Sequence, residues 1–219
     1  MRFRSLAATV GFTLTALPLF AQTTTPTAGA AGSFNGSLPA GHTFGGGGNP
    51  VSPVVTGGLN GAFIGLLAQQ RYQSPAVSYD GAGTWTAQAG NSVGAPVNGP
   101  YFSTWNFDYY IDPGNTGDIF TLSVDWNPAV GVTTDYTSWN SGNVDSSNLG
   151  YVDYAVPGTF DPNATGEYSF SITQRNANGG FIDRVEMNVD VTASPEPASL
   201  VLLGTGLLGV VGIARRRRA

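Results

Sequence analysis

Trp105-Asn106-Phe107-Asp108-Tyr109-Tyr110-Ile111 decides the fold class. Trp105, Phe107, Tyr109 and Ile111 alternate with Asn106, Asp108 and Tyr110. That period of two builds a strand with one apolar and one polar face. The same alternation recurs in both directions from it. Phe120, Leu122, Val124 and Trp126 form one apolar face, Tyr168, Phe170 and Ile172 another, and Val185, Met187, Val189 and Val191 a third. Weaker strands are expected over 62–68, 76–79, 84–89, 132–136 and 151–156. Turn residues punctuate them, at Asp80-Gly81, Asp112-Pro113-Gly114-Asn115, Asn140-Ser141-Gly142-Asn143 and Asp161-Pro162-Asn163. Asn178-Gly179-Gly180 sits between two clear strands and predicts a hairpin. Eight or nine short strands, each with one greasy face, hide those faces by packing two sheets together. The expected fold is all-β, an antiparallel, jelly-roll-like β-sandwich over residues 59–193.

Before it, residues 22–58 are rich in Thr, Gly, Ala and Pro, with Gly45-Gly46-Gly47-Gly48-Asn49-Pro50 at the centre. Such a segment has little apolar surface to bury and reads as a flexible or loosely docked arm.

Composition removes several functions. Of 219 residues only 11% are charged, against roughly 25% in ordinary soluble proteins. The nine cations are all Arg, and six sit at the two ends: Arg2, Arg4, Arg215, Arg216, Arg217 and Arg218. Between the ends, three Arg face thirteen carboxylates, a formal charge of −10 against −5 for the chain. A Lys-free acidic body has no basic face for phosphate, so nucleic acid is excluded as a partner. The lack of Cys excludes disulfides, thiol catalysis and Cys-ligated zinc.

The end arginines flank apolar runs. Residues 1–21 read as a secretory signal peptide for the Sec export machinery, with Arg2 and Arg4 before the apolar run and Ala21 before Gln22. Residues 198–214 carry no charge and as a helix span about 25 Å, enough for a single transmembrane helix. Arg215 to Arg218 follow at once and act as a cytoplasmic stop-transfer signal, leaving the body outside the membrane. Pro195-Glu196-Pro197 precedes the helix. Its two prolines hold it extended, and Glu196 suits the positive helix N-terminus.

The order Pro195-Glu196-Pro197, Leu/Gly-rich apolar stretch, Arg215–Arg218 resembles a PEP-CTERM sorting signal, occupying residues 194–219. The resemblance implies recognition and cleavage near the motif by an exosortase, an integral membrane enzyme. It further implies a Gram-negative bacterium producing extracellular polysaccharide, with the product released to the cell surface or matrix. Pro195, Glu196 and Pro197 would be substrate residues and not catalysts.

The body offers few groups for chemistry. His42 is the single His and falls in the Gly-rich arm, where nothing positions a base. Asp108 and Asp125 fall on polar strand faces as possible neighbours, and a sugar-cleaving pair would have to stand about 5–10 Å apart in a cleft. Asp on a solvent face also simply keeps a sheet soluble. Two loops carry oxygen ligands for calcium: Asp112, Asn115 and Asp118, then Asp161, Asn163 and Glu167. Neither has the spacing of a helix–loop–helix calcium site. Trp85, Tyr101, Tyr110, Tyr136 and Trp139 are candidates for exposed rings that stack on sugars. The expected protein is thus an exported, non-enzymatic surface or matrix protein without a cofactor. The alternatives are a carbohydrate- or calcium-binding module for exopolysaccharide, and then a polysaccharide-acting enzyme.

Overall fold

The structure, a computed structural model, describes residues 25–42, 44, 53–72, 74–92, 102–125, 128, 134–139, 143–150 and 160–194, with 134–139 and 143–145 described as backbone alone. The signal peptide expected over 1–21, Tyr101, Trp126, the strand expected over 151–156, and the tail from Pro195 onward lie outside the described residues. Among the described residues every regular element is a strand. In order they are β1 (Val55–Gly57), β2 (Phe63–Gln70), β3 (Ser78–Tyr79), β4 (Thr84–Gln88), β5 (Trp105–Asp112), β6 (Ile119–Val124), β7 (Thr134–Trp139), β8 (Asn143–Ser147), β9 (Gly166–Arg175) and β10 (Phe181–Thr192).

They form a four-stranded sheet in the order β1-β2-β5-β8 and a six-stranded sheet in the order β3-β4-β10-β9-β6-β7. The alternation read from the sequence sets the inner faces. Phe107 of β5 stacks on Phe170 of β9 with ring centroids 4.8 Å apart, and Trp105 meets Phe170 edge-on at 5.9 Å. Ile64, Leu66, Ile111, Phe120, Leu122, Ile172, Val185, Met187 and Val189 fill the space around them, each fully buried. The two sheets therefore close on one core.

All the paired strands but one pair are antiparallel. The exception corrects the antiparallel expectation: β4 runs parallel to β10, with Trp85 opposite Val189. About a hundred residues separate those two strands. A connection that long passes through the rest of the fold and leaves either direction open, whereas a tight hairpin such as β9–β10 allows only one.

Part of the arm docks on the body. Residues 25–44 and 53–58, as far as they are described, belong to the folded body. β1 adds to the edge of β2, Gly36 bridges Val54, and the Glu186 amide donates to Thr27 O at 2.8 Å. Phe44, Val54 and Val55 are buried in the core. The described parts of the arm dock because their few apolar side chains find an uncovered face, while the Gly-rich centre, residues 45–50, lies outside the described residues. Leu38 and Val54 lie over Gly65 of β2, where the missing side chain leaves room for them.

Two strands escaped the periodicity. β1 is three residues with one Gly, and β8 reads Asn-Val-Asp-Ser-Ser, without an apolar alternation. Each forms by pairing at an open sheet edge, β1 on β2 and β8 on β5.

Candidate functional site

Polar side chains gather at three places. The first is the end of the sandwich near the β9–β10 hairpin. Gln174 and Asp183 continue the apolar phases of β9 and β10, so both point inward. A β-bulge between Phe181 and Asp183 sets Asp183 opposite Gln174. The Asp183 carboxylate accepts from the Ala30 amide at 2.9 Å and the Gly58 amide at 2.8 Å. Gln174 accepts from the Leu59 amide at 3.0 Å, lies 3.1 Å from Leu59 O as a donor, and donates to Asp118 at 2.7 Å. A side chain on Gly29 would collide with the Asp183 carboxylate. Asp183 and Gln174 therefore clamp the arm and the β1–β2 turn onto the six-stranded sheet.

The second is the outer face of the four-stranded sheet. Asn148 is fully buried. Its side-chain nitrogen stands 2.7 Å from Trp105 O, 3.1 Å from Ser103 O and 2.9 Å from Asn106 Oδ1. Its oxygen accepts from the Ser103 and Gly150 amides, both at 3.0 Å. Asn106 also accepts from Arg71 at 3.2 Å, and Gln69 donates to Ser146 at 3.0 Å. The buried Arg71 guanidinium lies 4.4 Å from the Phe102 ring centroid and 4.8 Å from that of Tyr72. Donors and acceptors here largely saturate one another, as buried polar groups must. They hold β2, β5 and the residues after β8 in register.

The third lies on the outer face of the six-stranded sheet, where Glu167 and Asp190 are directly opposed across β9 and β10. Burial and the Asp190 charge raise the Glu167 pKa, with an Asn188 hydrogen bond pulling the other way. Burial and the Asp80 charge raise that of Asp190. A carboxyl with a raised folded-state pKa holds its proton more tightly when folded. The fold thus gains stability as pH falls through those values, fully so below the ordinary carboxylate range near 4. Glu167→Gln and Asp190→Asn are each expected to stabilise the protein at pH 7 by under about 1 kcal/mol, the scale of a like-charge cross-strand pair. In urea titrations the gain should vanish by about pH 3.5. A gain of the same size at both pH values would show that charge is not its origin.

The carboxylates and rings expected to carry chemistry fall as follows. Asp108 and Asp125 are 0% and 4% exposed, not on solvent faces. They sit on different sheets, Asp108 within β5 and Asp125 just past β6. Asp108 lost its solvent because the outer face of β5 is covered, whereas a lone strand pattern implies an open one. Asp125 and Asp161 both act on the buried Tyr168 hydroxyl, whose pKa rises well above the phenol range through burial first and those charges second.

The two oxygen-rich loops stand apart. Asp112 caps its own turn through the Gly114 amide at 2.9 Å, and Asp118 is buried against Gln174 near the C-terminal end of β9. Asn115 is exposed. Asp161 caps Asn163 at 2.9 Å and, with Glu167, lies at the N-terminal end of β9, ten residues long. Among the described residues no three His, Cys, Asp or Glu side chains gather closely enough to hold a metal ion together.

Trp85 and Tyr110, expected as exposed rings, are buried, Trp85 against Tyr79 and Tyr110 between Phe63 and His42. Tyr136 and Trp139 lie on β7. His42 is exposed, with Nδ1 2.9 Å from the Tyr110 hydroxyl. Residues not singled out from the sequence, Asp183, Gln174 and Asn148, join distant segments through their polar contacts. For Asp183 and Gln174 a signal was present, since both fall on the apolar phase of their strands. Asn148 had none, because it follows an unpatterned strand.

Residues 195–218 match the family model described as the PEP-CTERM protein-sorting motif. No curated protein and no solved structure matches the chain. The C-terminal segment thus carries a sorting motif, which implies an exported protein processed by an exosortase-type enzyme and directed to the cell surface.

Proposed function

We propose that the chain is an exported, non-enzymatic surface or matrix protein. Its precursor is held in the membrane by residues 198–214 and freed by cleavage near Pro195-Glu196-Pro197. The sorting motif over residues 195–218 is the observation that carries this reading. The fold supports it. β10 ends at Thr192, with Ala193 and Ser194 alone before the motif. β10 is an inner strand whose partners β4 and β9 are already in place. A cut beyond Ser194 leaves the whole β10 pairing on one side of the break. The acidic residues weighed for catalysis, Asp108 and Asp125, are buried, and of those weighed for calcium Asp112, Asp118 and Asp161 are engaged in turns and the clamp.

Replacing Pro195, Glu196 and Pro197 together by Ala in the producing cell is the test. The expected result is a longer, membrane-associated precursor with little release, read by intact mass and fractionation. Mature protein of unchanged mass and unchanged release would refute the sorting role.

A further inference from the structure

Three Asn-Gly pairs lie among the described residues: Asn35-Gly36, Asn60-Gly61 and Asn178-Gly179. Such pairs are chemically labile, because a Gly nitrogen without a neighbouring side chain can reach the preceding Asn carboxamide. The structure treats the three nitrogens differently. The Gly36 amide donates to Val54 O at 2.9 Å, and the Gly179 amide donates to Asn176 O at 2.8 Å. Among the described residues, no acceptor lies on the Gly61 amide.

Asn60 and Gly61 form the exposed tip of the β1–β2 turn, closed by the Ala62 amide on Leu59 O at 3.1 Å. Both have positive φ, 60° and 90°, which makes Asn-Gly the favoured pair for this mirror-image turn. A Cβ placed on Gly61 would meet nothing within 4 Å, so the side facing solvent is open.

We infer that Asn60 is a spontaneous modification site, deamidating in the folded protein ahead of Asn35 and Asn178. The Gly61 nitrogen, having lost its proton to solvent base, attacks Asn60 Cγ. A new N–C bond forms, the Cγ–NH2 bond breaks, and ammonia leaves with a proton from solvent. Water then opens the resulting five-membered imide at either carbonyl. One opening leaves an ordinary aspartate in place of Asn60; the other leaves isoaspartate, with the side-chain methylene inserted into the backbone. Either product adds a negative charge. Isoaspartate also lengthens a turn whose approach is pinned, Gly58 by Asp183 and Leu59 by Gln174. The modification therefore works against the clamp that joins the two sheets.

The purified full chain, aged in mildly alkaline buffer with and without urea, tests this by peptide mapping with isoaspartate identification. In the folded protein Asn60 should convert about three- to tenfold faster than Asn35 or Asn178, the factor expected from one amide hydrogen bond. In urea the three rates should converge, since the Asn-Gly chemistry is the same at each. A folded-state rate at Asn60 equal to or below either of the others would overturn the inference. An unchanged ranking in urea would do so equally, because sequence and not structure would then set it.

Discussion

Asp183→Ala is expected to cost about 3–6 kcal/mol, from two hydrogen bonds to a charged acceptor at roughly 1.5–3 kcal/mol each. The carboxylate is 4% exposed and holds the Ala30 and Gly58 amides, one from the arm and one from the β1–β2 turn. Removing it leaves two amide donors without their acceptor where the sheets meet. That is a large share of the roughly 5–15 kcal/mol available to a domain. Asp183→Asn keeps one carbonyl acceptor and should lose about half as much. Urea unfolding gives the totals, and hydrogen exchange at Ala30 and Gly58 gives the location, with protection falling there before the β9–β10 ladder. A loss below about 0.5 kcal/mol, the scale of an ordinary surface change, would mean that the clamp contributes nothing to closing the fold.

Phe170→Ala should cost a similar amount, about 3–5 kcal/mol. Phe170 is fully buried on β9, stacked on Phe107 and edge-on to Trp105. Truncation removes those ring contacts, worth about 0.5–1.5 kcal/mol per aromatic pair beyond area, and leaves a cavity between the sheets. Phe170→Leu restores much of the volume but no ring, so it should fall between the two and remain measurable if the Ala variant does not fold. Near-UV circular dichroism should report the loss of ordered Trp105 in both. If both variants unfold at the parent's urea concentration, the core does not lie where these rings meet.

The tail and the core faces were legible because their signals are local. A charge-free run bounded by Pro195-Glu196-Pro197 and four arginines can be read without a fold, and residues 195–218 match the sorting motif. Strands β5, β6, β9 and β10 were legible because each alternates strongly enough to define its own inner face. The candidate chemistry was not legible. Whether Asp108 meets solvent depends on what covers the outer face of β5, and that covering comes from distant parts of the chain. Trp85 and Tyr110 were read as exposed for the same reason, although each packs against partners supplied by other segments.

By itself, then, the sequence determined that this is an all-β body with an export-and-sorting tail, and which residues of its main strands face inward. Those properties follow from period, charge and composition within short windows. Only the tertiary structure decided the strand order, the parallel β4–β10 pair, the docking of the arm and the buried clamp of Asp118, Gln174 and Asp183. Each of these joins residues far apart in the chain, and a backbone amide such as Gly58 finds its acceptor only once both sheets are in place.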